Sequence, residues 1–178
     1  MRKYDTFWPR CFAGFVDGLI FMPIGVLDAF LGVPERGPFV IIAWNVVIYT
    51  VGWLYSVLFH ARYGQTLGKM AARVKVLDLS EERIPTIRQA FIRDIGYIVL
   101  NTLSLLYLIY LVTAGRSGPG AEESSVPAQI LGCASLGWFL LEVISMATNE
   151  KRRAFHDYIA GTVVVRTEEL GGERRAFD

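Results

Sequence analysis

The side chains able to do chemistry here are charged groups set inside apolar runs. Arg10 and Asp17 lie in RCFAGFVDGLIFMPIGVLDAFL (residues 10–31), Arg93 and Asp94 in FIRDIGYIVLNTLSLLYLIYLV (residues 91–112), and Glu142 in the apolar run that ends at Asn149. A carboxylate deep in a membrane is costly unless protein, a partner charge or water meets it. Two chemistries fit such groups. They bind a proton or a monovalent cation reversibly, or they pair with arginine and hold helices in register. Arg10 and Asp17 are seven residues apart, so on a helix they stand about 20° from one face, with Asp17 roughly 10 Å deeper. Arg10 is therefore expected to bridge to Asp17.

The elements that must position these groups are membrane helices. Of 178 residues, 53% are hydrophobic, and they gather into four long blocks rather than spreading at amphipathic spacing. That pattern marks a polytopic membrane protein. The expected fold class is an all-α membrane protein with four transmembrane helices, at residues 10–31, 39–60, 87–112 and 128–149, forming one domain over residues 1–166. Thr86 with Gln89 matches a capping box and starts the third helix. The first run is too long for a signal-peptide core, so no cleavable signal is expected. Residues 113–127, rich in Gly, Ser and Pro, read as a mobile loop, and residues 167–178 as a polar tail.

Between the second and third helices, Leu67, Met70, Ala71 and Val74 recur at helical spacing. They predict a short amphipathic helix on the membrane surface, with Lys69, Arg73 and Lys75 as anchors to anionic lipid headgroups. Val74–Leu77 and Val163–Val165 alternate like strands and are expected to pair as a two-stranded ribbon, which needs packing to persist. Lys and Arg crowd the amino terminus, the 61–89 segment and the carboxyl terminus, while the other two loops carry only Arg36 and Arg116. The positive-inside rule then puts both termini in the cytoplasm.

That topology brings Asp17, Asp94 and Glu142 to one level, each roughly 8–12 Å inside the cytoplasmic boundary. They are the candidate ion or proton sites, with Arg10, Arg93 and Asp157 as charge partners. Asp157 follows the fourth helix at the face where Arg10 begins the first, so a salt bridge joining the two ends of the chain is expected. Purely structural pairing is the competing reading, because breaking a buried pair costs about 3–5 kcal/mol. Asn45 reads as a helix–helix hydrogen bond and Asp28 as a solvated residue near the outer boundary.

Three pieces of this sequence, in order, resemble the bacterial RDD family of membrane proteins. They are Arg10 with Ala13 and Asp17, then GQTLGKMAARVKVLD (residues 64–78), then FHDYIAGTVVV (residues 155–165). The family is named for one arginine and two aspartates, and the resemblance makes these Arg10, Asp17 and Asp157. It implies a multi-pass protein of the inner (cell) membrane. Transport is the activity usually suggested for the family, including cation/proton exchange for some members. Asp94 and Glu142 stand outside the name-giving trio, so the resemblance implies no role for them.

Other function classes find little support. The histidines, His60 and His156, and the cysteines, Cys11 and Cys133, show no ligand spacing, so no metal, cofactor or disulfide framework is expected. His156-Asp157 lacks a nucleophile elbow, so the chain is not expected to be an enzyme. GQTLGK follows no strand and is not a phosphate loop. The basic residues flank membrane segments and form no separate domain, which argues against nucleic-acid binding. The expected function is a small-cation or proton transporter or exchanger. Four helices leave little room for alternating access, so a homo-oligomer is expected with it. The alternative is a non-transporting module that binds or organises a partner membrane protein.

Overall fold

The computed structural model of the protein describes residues 2–32, 36–115 and 125–169. Most of the 113–127 loop and the tail from residue 170 lie outside the described residues. A single-turn 3-10 helix (Arg2–Tyr4) leads into α1 (Phe7–Leu31), α2 (Pro38–Tyr63), α3 (Leu67–Ala71), β1 (Val74–Asp78), α4 (Ile87–Thr113), α5 (Val126–Thr148), α6 (Phe155–Ala160) and β2 (Thr162–Arg166).

Helices α1, α2, α4 and α5 have 25, 26, 27 and 23 residues. At about 1.5 Å per residue each exceeds the roughly 30 Å of a bilayer's hydrocarbon core. All four are long and apolar enough to cross a membrane. Their surfaces agree, because no residue in the most apolar window of α1 is buried, and Phe15, Met22 and Phe30 stand exposed. Apolar surface on that scale needs lipid or protein around it. α1 begins at Phe7 rather than Arg10, since Pro9 falls in the first turn, where an absent N–H costs nothing. α4 starts at the expected capping box, with Gln89 N donating to Thr86 Oγ1 at 3.2 Å and Thr86 N to Gln89 Oε1 at 3.0 Å.

The chain divides into two compact units, one of residues 1–20, 55–95 and 140–178, the other of residues 21–54 and 96–139. In the second unit, Gly96 lies against the Trp138 indole, where any Cβ would collide, and Tyr97 meets Trp138 edge-on at 6.4 Å between ring centroids. Asp28, expected to be solvated, accepts the Trp44 indole N–H at 2.8 Å. Asn45 does not form the expected bond between helices. It donates to the Ile41 carbonyl of its own helix at 3.0 Å, which a short amide reaches without a neighbour.

The first unit is built around the ribbon. β1 and β2 pair antiparallel, with Val76 opposite Val164 and Leu77 opposite Val163. Val74, Val76 and Val164 pack with Ala72 on one face, and Leu77, Val163 and Val165 with Tyr4 on the other. A lone ribbon is marginal in water. Here β1 lies against α3, and β2 against α6 and the 3-10 helix, so both faces are covered. Full burial of each valine contributes about 1.5–3 kcal/mol over exposure. The surface helix is shorter than expected. Arg73 turns at φ 55°, which ends α3 after five residues and gives Val74 to β1.

Candidate functional site

Both clusters of buried charge belong to the first unit. One closes on Asp17. Its Oδ1 accepts the Tyr55 hydroxyl at 2.7 Å and the Gly68 N–H at 2.8 Å, and its Oδ2 accepts the Thr66 hydroxyl at 2.7 Å. The local sequence explains the fit. Gly64 turns the chain out of α2 at φ 69°, and Thr66 caps α3 by accepting the Lys69 N–H. Gly68 has no Cβ, and one would collide with the Ala13 carbonyl and the Asp17 carboxyl. Arg10 does not bridge to Asp17, contrary to expectation. Neutral donors meet this carboxylate on both oxygens.

The second cluster is a chain of five side chains. Arg10 reaches Asp157 Oδ2 through Nη2 at 2.6 Å, and through Nη1 donates to the Arg152 carbonyl at 2.9 Å. Arg93 reaches Asp157 Oδ1 at 2.9 Å. Asp157 also accepts the Ala154 N–H at 3.0 Å and the Thr162 hydroxyl at 3.2 Å, and is 0% exposed. Burial alone would raise the Asp157 pKa. Arg10 and Arg93 outweigh burial and hold the carboxyl well below its usual range.

His156 gives the chain a direction. Arg93 Nη2 lies 2.9 Å from His156 Nε2, and Arg10 Nη2 3.3 Å from it. A guanidinium only donates, so Nε2 accepts and Nδ1 carries the proton. Nδ1 lies in contact with Glu142 Oε2. Burial lowers the His156 pKa, Asp157 pulls it up, Arg93 pushes it down again, and the outcome lies below the ordinary value, which agrees with a neutral ring. Glu142 is 4% exposed, and among the described residues its second oxygen, Oε1, has no partner. Arg93 Nη1 and Asp94 Oδ2 are likewise buried without a partner. His60 donates from Nδ1 to the Ser56 carbonyl at 2.7 Å, which leaves its buried Nε2 unpartnered.

The structure thus joins Arg10, Arg93, Asp157 and Glu142 in one network and seats Asp17 in another. Among the described residues Asp94 makes no ion pair, though its charge acts on Arg93 and Lys69. Lys69, expected at a lipid headgroup, is only partly exposed, and its ammonium lies within reach of these charges. Burial, reinforced by Arg93 and Arg10 and opposed by Asp17 and Asp94, lowers it to about 7. Lys75 lies half-buried on β1, and Arg73 is exposed and paired with Glu168 at 2.8 Å.

Sequence reasoning missed Tyr55, Thr66, Gly68 and His156. Thr66 carried a readable signal, a cap residue just ahead of an apolar turn. His156 stands beside Asp157 in the terminal motif, but two histidines without ligand spacing carry no signal for a contact with Glu142. Among known proteins, the family model described as RDD family matches residues 4–161. The chain matches no curated protein and no solved structure.

Proposed function

The chain belongs to the RDD family, and from that premise we propose that it is a multi-pass inner-membrane protein coupling proton movement to the passage of a small cation, with Glu142 as the proton-carrying group. The observation behind this reading is Glu142 itself. Its carboxyl sits in an apolar helix with Oε2 on His156 and Oε1 on nothing. A buried acceptor left open is costly, and a proton, water or cation relieves that cost. A proton on Oε1 meets that need at rest, and a cation arriving at the carboxylate displaces it. His156 orients the carboxyl and, with Nε2 taken by arginine, has no free nitrogen to act as a base in hydrolysis.

Asp17 and Asp157 take anchoring roles in this reading, because protein donors already meet both oxygens of each. The Lys and Arg distribution supports cytoplasmic termini. Four helices support transport through a homo-oligomer better than through one chain. The second reading, a module that organises a partner membrane protein, draws on the same saturation of Asp17 and Asp157.

Proton release separates the two. Purified protein in weakly buffered detergent receives sodium or potassium chloride while a pH dye is followed. Transport chemistry at Glu142 predicts release of up to one proton per chain, absent in Glu142→Gln and retained in Asp17→Asn. No release from the intact, folded protein favours the organising module.

A further inference from the structure

We propose that the cavity beside the start of α1 binds the phosphate of an anionic phospholipid, with the lipid's acyl region against Trp8 and Phe12. The cavity measures about 440 Å³ and its walls differ in chemistry. Trp8 and Phe12, from the first two turns of α1, form one wall. Ala72 and Arg73, just past α3, with Arg166 and Glu168 at the end of β2, form the other. Trp8 meets Phe7 edge-on at 5.4 Å between ring centroids and is still 75% exposed, so most of its indole lies open to an apolar or interfacial neighbour.

The polar wall is set for a phosphate. Arg166 donates from Nε to the Asp5 carbonyl at 2.9 Å, which fixes the guanidinium, and among the described residues its Nη groups meet no hydrogen-bond acceptor. Arg73 spends one Nη on Glu168 and keeps its other donors. Two guanidinium groups and one carboxylate leave the wall net positive, and the planar fork of arginine matches phosphate oxygens in pairs. Trp8 stands at the first turn of an apolar span, the level at which tryptophans meet headgroups.

An occupant with an anionic head and an apolar tail satisfies both walls at once, whereas a soluble phosphate ester satisfies only the arginines. Glu168 competes with that occupant for Arg73. The expected headgroup contact therefore shifts away from Lys69 and Lys75, which do not line the cavity, and onto Arg73 and Arg166.

Tryptophan quenching in detergent tests this on the full chain. Phosphatidylglycerol with brominated acyl chains is titrated against phosphatidylcholine bearing the same chains. The expected result is a saturable quenching component about tenfold tighter for phosphatidylglycerol, superposed on the quenching of Trp44, Trp53 and Trp138 that both lipids share; that component is lost in Trp8→Phe and reduced to within twofold of phosphatidylcholine in Arg73→Gln with Arg166→Gln. Glu168→Gln should tighten phosphatidylglycerol binding, a gain that misfolding cannot mimic. Equal affinity for the two lipids, or no tightening in Glu168→Gln, overturns the proposal. Complete competition by glycerol phosphate at concentrations equal to the lipid's does so too, because it marks a site for a free phosphate ester.

Discussion

The backbone N–H of Gly68 lies 2.8 Å from Oδ1 of Asp17, so a main-chain amide rather than an opposing charge helps to hold this carboxylate inside α1. A methyl group at residue 68 collides with the Ala13 carbonyl and with Asp17, while one at Gly14 meets open space. Gly68→Ala should therefore cost about 1–3 kcal/mol, as overpacking does. Gly14→Ala should leave stability unchanged. Thermal unfolding of the two variants in detergent checks the contrast.

Removing the charge of Asp157 strands Arg10 and Arg93. Both guanidinium groups are buried, with Arg93 3% exposed. Asp157→Asn should cost about 3–5 kcal/mol, the usual penalty for breaking a buried pair. Arg73→Gln breaks an ion pair of which Arg73 is 74% exposed and should not move the melting temperature detectably.

His156 sets a pH dependence with a definite sign. Its folded pKa lies below the ordinary 6.5, so the unfolded chain takes up a proton before the folded one does. The stability it contributes is complete above 6.5 and declines as pH falls through that value toward the lowered folded pKa. Asp157 adds a decline of the same sign only below its ordinary 3.8. Melting temperatures measured from neutral to mildly acidic pH should fall for the intact protein, with a flatter profile for His156→Gln.

The charge asymmetry predicts sidedness. In a Cys11→Ser, Cys133→Ser background, Ser80→Cys between β1 and α4 should be unreactive to an impermeant thiol reagent added outside intact cells and reactive after lysis. Arg36→Cys should react in both. The opposite pattern would invert the proposed orientation.

The spans were legible because about twenty apolar residues in a row fit few other structures, and the capping box marked where α4 starts. The ribbon was legible from its alternating valines, although not its burial on both faces, which depends on Tyr4 and Ala72 arriving from distant segments. Matched depth located the partnership of Arg10 with Asp157. It failed for Asp17, because depth pairs charges with charges, whereas a carboxylate is equally well met by two hydroxyls and an amide. The His156–Glu142 contact was not legible at all. Depth places Glu142 near the end of α5, but only the turn after α5 determines which side chain returns to meet it.

The most direct measurement is proton flux in proteoliposomes under an imposed cation gradient, comparing the intact protein, Glu142→Gln and Asp17→Asn at matched incorporation. Cation-dependent flux is expected to vanish in Glu142→Gln and to survive, per folded molecule, in Asp17→Asn. Flux that persists undiminished in Glu142→Gln would contradict the proton-carrying role of Glu142.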